Sequence, residues 1–179
     1  MGAEYVIRRA VGHDVESIVA LDRATEYLPH WPAAEYEAAL ETQDAKGTAP
    51  VPGVRRCLFV AISAGSLVGF AVGKVMALPQ EVSGELESVA VAGSARRAGI
   101  GRGLCESVLA WCRRQGATEV DLEVRSRSAG PIALYGRLGF LEVGRRAKYY
   151  RDPVDDAVLM RLPCASDQVY EATVDSRDL

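Results

Sequence analysis

Apolar and polar residues alternate from Tyr5 to Ile7, as in a strand with one face in the core. The period then lengthens. Asp14 precedes Ile18, Val19 and Leu21, which share one face of a helix that the carboxylate is placed to cap. Pro32 opens a second short helix over 33–40, because its fixed φ suits a first helical turn. The stretch 43–53, rich in Ala, Gly, Thr and Pro, reads as a loop. Residues 57–63 and 67–75 read as two strands of a hairpin turning at Ala64-Gly65-Ser66, and 86–91 as the next strand. A helix follows over 99–114, with Leu104, Val108, Leu109, Trp111 and Cys112 on its apolar face and Gly116 as its stop. The remaining pattern predicts a strand over 118–124, a helix over 129–138 closed by Gly139, and strands over 140–145 and 157–162. Those last two flank the basic, aromatic run Arg145-Arg146-Ala147-Lys148-Tyr149-Tyr150-Arg151.

The central order strand, helix, strand, helix implies two neighbouring parallel strands, ending at Val91 and Val124 and joined by a crossover helix. In such sheets ligands sit beyond the carboxyl ends of the strands. Composition adds a single α/β domain: 179 residues, 49% of them hydrophobic, are enough for one core, assigned to 3–163. The polar, acidic stretch 164–179 reads as a tail. A net charge of −3 argues against a general nucleic-acid binder. No apolar run is long enough to span a bilayer, and 1–9 lacks the apolar centre of a signal peptide. Val6 also breaks the myristoylation pattern that Gly2 begins. A cytoplasmic protein is expected, monomer or homodimer, with no nucleic-acid or membrane partner. Cys57, Cys105, Cys112 and Cys164 show neither CxxC nor metal-ligand spacing and read as buried apolar side chains in a reducing compartment, with no metal expected.

The densest chemical signal is Arg96-Arg97-Ala98-Gly99-Ile100-Gly101-Arg102-Gly103. Glycines let an anion approach the backbone, a helix start offers unpaired N–H groups, and arginine adds forked donors suited to phosphate. The run lacks the third glycine of a Rossmann fingerprint and has no GxxxxGK[ST]. It resembles instead the [QR]-x-x-G-x-[GA] pyrophosphate loop of the GCN5-related N-acetyltransferases (GNAT). Two further blocks carry the same likeness. One is Leu122-Glu123-Val124-Arg125, then Ile132-Ala133-Leu134-Tyr135 and Leu138-Gly139-Phe140; the other is Arg145 to Tyr150 followed by Asp155-Asp156-Ala157-Val158-Leu159-Met160. Over residues 84–162 the chain resembles the ribosomal-protein-alanine acetyltransferase branch.

The resemblance implies a mixed central sheet flanked by helices, whose parallel fourth and fifth strands splay apart after a bulge. It implies acetyl-CoA as cosubstrate, pantetheine paired with the backbone of Val89, Ala90 and Val91, and pyrophosphate on Arg96, Arg97, Ala98, Gly99, Ile100, Gly101 and Arg102. Ser128 stands where the family usually has a cofactor-binding Asn. The implied general base is Glu123, and the implied general acid is Tyr135, twelve residues on and also against the cofactor. Glu87 is the rival base: strict alternation puts it on the face of Val89 and Val91. Trp31, Arg145, Tyr149 and Tyr150 are candidates for gripping the acceptor. The acceptor expected from this branch is the α-amine of a protein or peptide. A small amine (amino acid, polyamine or antibiotic) is the alternative within the fold, and a non-catalytic acyl-CoA sensor is the alternative outside enzymes.

Overall fold

The computed structural model describes residues 4–28, 30–43 and 53–164. Most of the loop expected over 43–53 and nearly all of the acidic tail lie outside the described residues. In chain order the elements are β1 (Tyr5–Arg9), α1 (Val15–Ala24), α2 (Ala33–Gln43), β2 (Gly53–Ser63), β3 (Ser66–Leu78), β4 (Glu81–Val91), α3 (Ile100–Arg114), β5 (Glu119–Arg125), α4 (Ala129–Arg137), β6 (Leu141–Arg151) and β7 (Val154–Pro163). The strands form one sheet in the order β1-β2-β3-β4-β5-β7-β6. Every neighbouring pair is antiparallel except β4 with β5, as the crossover argument requires.

Both faces of the sheet are covered. On one, α3 lays Ile100, Leu104, Val108, Trp111 and Cys112 against Val75, Leu86, Val120 and Leu122, and Leu134 and Tyr135 of α4 pack at its margin. On the other, Ile18 of α1 and Tyr36 of α2 close over Leu58, Val60, Phe70 and Val72. All four cysteines are free and buried.

Several elements differ from expectation for local reasons. The β2–β3 hairpin turns on Ala64 (φ 47°) and Gly65 (φ 77°), the paired positive φ values that match strand twist in a two-residue turn. β4 starts at Glu81 rather than 86, because Pro79-Gln80 makes a second tight turn that pairs Leu78 with Glu81. The basic, aromatic run expected between two strands is itself strand, the second half of β6. Asp14 does not cap α1 with its side chain. Its carboxylate accepts two bonds from the Arg8 guanidinium, at 2.7 and 2.9 Å, and one from the Val11 N–H at 2.8 Å. A forked cation outcompetes the weaker N–H groups of the helix start.

One irregularity shapes the rest. β3 pairs Val72 with Ser88 and Gly73 with Leu86, leaving Glu87 as an extra residue in β4. A bulge of this kind reverses which face the following side chains take. Val82 and Leu86 face α3 before it, and Val89 and Val91 face α3 after it. Glu87 points the other way, toward Arg56 and Lys74, and Arg56 in turn covers the Trp31 ring. The expectation that Glu87 shares a face with Val89 and Val91 is therefore corrected. β4 and β5 pair only through Ser83–Glu85 and Glu119–Asp121, while β5 stays on β7 as far as Arg125. Beyond that point the two parallel strands part.

A methyl group on Gly73, across from the bulge, would collide with Val108 Cγ1 and come 2.9 Å from Cys57 Sγ. Gly73→Ala is expected to cost about 1–3 kcal/mol, read as a lower urea midpoint at unchanged m-value. The Asp14 carboxyl is held below its ordinary value, first by the hydrogen bond from Arg8. A carboxyl lowered on folding contributes stability that is present above its unfolded pKa of about 3.9 and is lost as pH falls through the lower folded value. Asp14→Asn should therefore be less stable than the parent at pH 7, with the difference closing in acid denaturation as pH falls past the unfolded value and through the lower folded one.

Candidate active site

The parting of β4 and β5 leaves a cleft at their carboxyl ends. Ala92 N–H donates to Val68 O on β3 at 2.9 Å, and the Ala90 carbonyl also lies toward β3, against Gly69. Backbone direction alternates along a strand, so the N–H groups of Val89 and Val91 face the cleft, where β5 no longer pairs with them. Ala90, grouped with these two from the sequence, presents its backbone to β3 instead. The open edge can pair with an amide-bearing chain laid along it.

β4 leads through a short 3-10 turn, Gly93–Ala95, into the arginine-glycine loop. Arg97 (φ 69°) and Gly99 (φ 84°) both adopt left-handed backbone, which curls the chain and points successive N–H groups inward. The first bond of α3 runs from Gly103 N–H to Gly99 O, so the N–H groups of Ile100, Gly101 and Arg102 have no partner within the helix. Arg96 and Arg97 are exposed beside them with Arg102, which pairs with Glu106 at 2.8 Å. Arg96 also donates from Nε to the Val91 carbonyl at 3.2 Å, tying the loop to the open strand edge. A hydrogen-bond edge running into an anion cradle suits a pantetheine arm ending in a pyrophosphate.

The two candidate bases sit on the face opposite α3, in different surroundings. Glu87 is 9% exposed, with one oxygen 2.7 Å from Arg56 Nε and the other 3.1 Å from Arg56 Nη2 and 3.2 Å from Lys74 Nζ. Both oxygens are held by cations. Glu123 lies on the part of β5 that has left β4, is 27% exposed, and accepts from Arg146 Nη1 at 2.6 Å, with the Tyr149 phenol as a second hydrogen-bonding contact. It lines a cavity of about 350 Å³ with Glu85, Asp121, Val143, Arg146 and Arg161. Glu123 is thus the carboxylate with an open approach.

Tyr135 rises from α4 on the α3 side of the cleft, with its ring edge-on to Phe140 at 5.9 Å. Burial pushes its phenol above the ordinary value. Ser128 is the residue before α4 and makes no side-chain capping bond. The segment leading to it is fixed by buried Asp155, which accepts from Ser126 Oγ at 2.6 Å and from Arg127 N–H at 3.4 Å.

The acceptor-side candidates divide. Tyr149 and Tyr150 meet edge-to-face at 5.2 Å, and Arg146 lies over Tyr149 at 5.4 Å. The Tyr149 phenol is raised first by its hydrogen-bonding contact with Glu123. Trp31 packs on Tyr36 and under Arg56, within reach of the Glu87 cluster. Arg145 is not brought to the cleft: it sits opposite Val158, on the α3 face of the strand pair, and bonds Glu142 at 2.6 Å. Sequence reasoning missed Arg125, Tyr27, Arg56 and Lys74. Only Arg125 carried a signal, since alternation puts it on the same face as Glu123 two residues earlier.

The acetyltransferase (GNAT) family model matches residues 15–140. The chain is 34% identical over 177 residues to an N-alpha-acetyltransferase of Sulfurisphaera tokodaii, covering 90% of this chain and 95% of that protein. It is 35% identical over 113 residues to the ribosomal protein bS18-alanine N-acetyltransferase of Escherichia coli K12, covering 62% of this chain and 74% of that one. The crystal structure of the ribosomal-protein-S18-alanine N-acetyltransferase from Escherichia coli superimposes with a TM-score of 0.70 at 26% identity, over 93% of this chain and 99% of that chain. A splayed pair of parallel strands, an arginine-glycine loop between them and a family match across most of the chain lead to one conclusion: the protein belongs to the GNAT family and is an N-acetyltransferase.

Proposed function

We propose that the protein transfers the acetyl group of acetyl-CoA to the α-amine at the N-terminus of a protein or peptide. The observation that carries this reading is the near end-to-end match to an N-alpha-acetyltransferase, 95% of whose length aligns with this chain. The site supports it in detail. Val89 and Val91 offer free N–H groups along one edge, and the 96–102 loop offers a cradle for a diphosphate.

Acetyl-CoA supplies an activated acyl carbon as a thioester. The chain's residues manage protons and charge around it. An α-amine has a pKa of about 8, against about 10.4 for lysine, so it yields a much larger neutral fraction near pH 7. Glu123 takes the proton lost as the amine nitrogen bonds the acyl carbon, directly or through a water. The Val91 N–H donates to the carbonyl oxygen as negative charge collects on it. Tyr135 gives its proton to the departing sulfur as the carbon–sulfur bond breaks. Its raised pKa keeps the phenol protonated across the working range, so a proton is always present to give.

Tyr135→Phe should lower kcat by about 100-fold while acetyl-CoA affinity by calorimetry stays within about twofold. Unchanged turnover would remove Tyr135 from the mechanism. Glu123→Gln should lose turnover with stability intact. Glu87→Gln should instead lower the melting temperature, because it leaves Arg56 without its paired carboxylate and Lys74 with Glu85 alone. Selective loss of turnover in the Glu87 variant would transfer the role of base to it.

The acceptor is tested by incubating the protein with acetyl-CoA and a peptide library varied at its first residues, then locating added acetyl by mass spectrometry. Acetyl on the α-nitrogen is expected. Acetylated lysine side chains beside free N-termini would overturn the acceptor assignment. Turnover on small amines alone would redirect it, and acetyl-CoA binding without any turnover would make the protein a sensor.

A further inference from the structure

Arg125 reaches out from the end of β5 and is gripped from three directions. Its guanidinium lies 4.8 Å from the ring centre of Tyr27 and 4.2 Å from that of Tyr150. Its edge donates from Nη1 to the Pro153 carbonyl and from Nη2 to the Asp152 carbonyl, each at 3.0 Å. One planar cation thereby joins the end of β5, the segment between α1 and α2, and the turn between β6 and β7. Tyr27 is held in left-handed backbone at φ 70°, a conformation a tyrosine rarely adopts without outside support.

The chain of contacts runs on toward the site. Tyr150 meets Tyr149 edge-to-face, Tyr149 contacts Glu123, and Arg146 bridges Tyr149 and Glu123. Arg125 shares a sheet face with Glu123, away from α3. None of the contacts that hold it involves the open edge of β4 or the 96–102 loop. Its reach is to the walls around the base and not to the places fitted for acetyl-CoA.

We propose that Arg125 is a positioning residue for the acceptor. By clamping Tyr27 against Tyr150 and the β6–β7 turn, it sets the width of the groove through which the amine reaches Glu123, and it holds Tyr149 beside that carboxylate. The role needs a planar guanidinium that meets two rings while its fork bonds two carbonyls, so lysine cannot fill it despite its charge. This inference rests on the acceptor reading above, and its test separates the two.

The experiment compares the full chain with Arg125→Lys, Tyr27→Ala and Tyr27→Phe, varying peptide and acetyl-CoA independently. Arg125→Lys should raise the acceptor KM by about tenfold, the size expected from losing two cation–π contacts at a partly exposed site. The acetyl-CoA KM should stay within about twofold and the melting temperature close to that of the parent. Tyr27→Ala should move the acceptor KM in the same direction, and Tyr27→Phe, which keeps the ring, should recover most of the loss. An unchanged acceptor KM in Arg125→Lys, or acceptor and acetyl-CoA KM values rising together, overturns the proposal. If the parent acetylates no peptide, the N-terminal reading has failed, and amide exchange then decides the clamp. Faster exchange over residues 25–28 and 150–156 in Arg125→Lys supports it, and identical exchange sinks it.

Discussion

The separation of β4 from β5 is the constraint on which the site depends, and it begins with one surplus residue. Glu87 cannot be accommodated in register with β3, so the strand kinks and turns away from β5 after Glu85. The carboxylate that occupies the kink is nearly buried, and a buried charge without partners would cost several kcal/mol. Arg56 from β2 and Lys74 from β3 remove that penalty, and in doing so they fix the direction of the bend. The result is a strand edge with unpaired N–H groups inside a folded sheet. Left dry and unpaired, each such group would cost about 1–3 kcal/mol, so the edge is suited to a ligand that carries its own amides.

The two candidate carboxylates show how position selects between chemically identical groups. Glu87 is surrounded by charge from two neighbouring strands and is structural in its contacts. Glu123 stands where the sheet has opened, with Arg146 and Tyr149 of a solvent-facing strand as its partners. Opposite it, Tyr135 rests on Phe140 within the α3-side packing. The sheet itself thus separates a carboxylate on one face from a phenol on the other, at the level where β4 and β5 part.

Much of this was legible in residue order. The spacing of Leu104, Val108 and Cys112 marked α3, the glycine at 116 its end, and the arginine-glycine run marked the loop that leads from β4 into the first turn of α3. The bulge was not legible in the pattern of residues, for a physical reason. Buried and half-buried positions alternate without a break from Val82 to Ala90, because the sheet is covered by helices on both faces. A face swap at Glu87 moves Ser88 and Ala90 from one core to the other without changing whether they are buried. Arg145 was the candidate of the basic run, yet neighbours on a strand point apart, and it is Arg146 that reaches Glu123. Arg125 stood in a quoted motif with no role given, because its partners Tyr27 and Tyr150 are brought to it by tertiary structure alone.

The four buried cysteines have a practical consequence. Burial raises the Cys57 thiol above its ordinary value and pushes Cys105 and Cys112 up to about 12, so at neutral pH almost none of these three is thiolate, the form that reacts with alkylating agents. Cys57 on β2 and Cys105 and Cys112 on α3 lie in the layer between the helix and the sheet. Reagent can meet them only when that layer opens. Slow alkylation of the native protein therefore acts as a clock for the lifting of α3, the same helix whose first turn forms the anion cradle, and a ligand seated on that cradle slows the clock by the factor with which it favours the closed state.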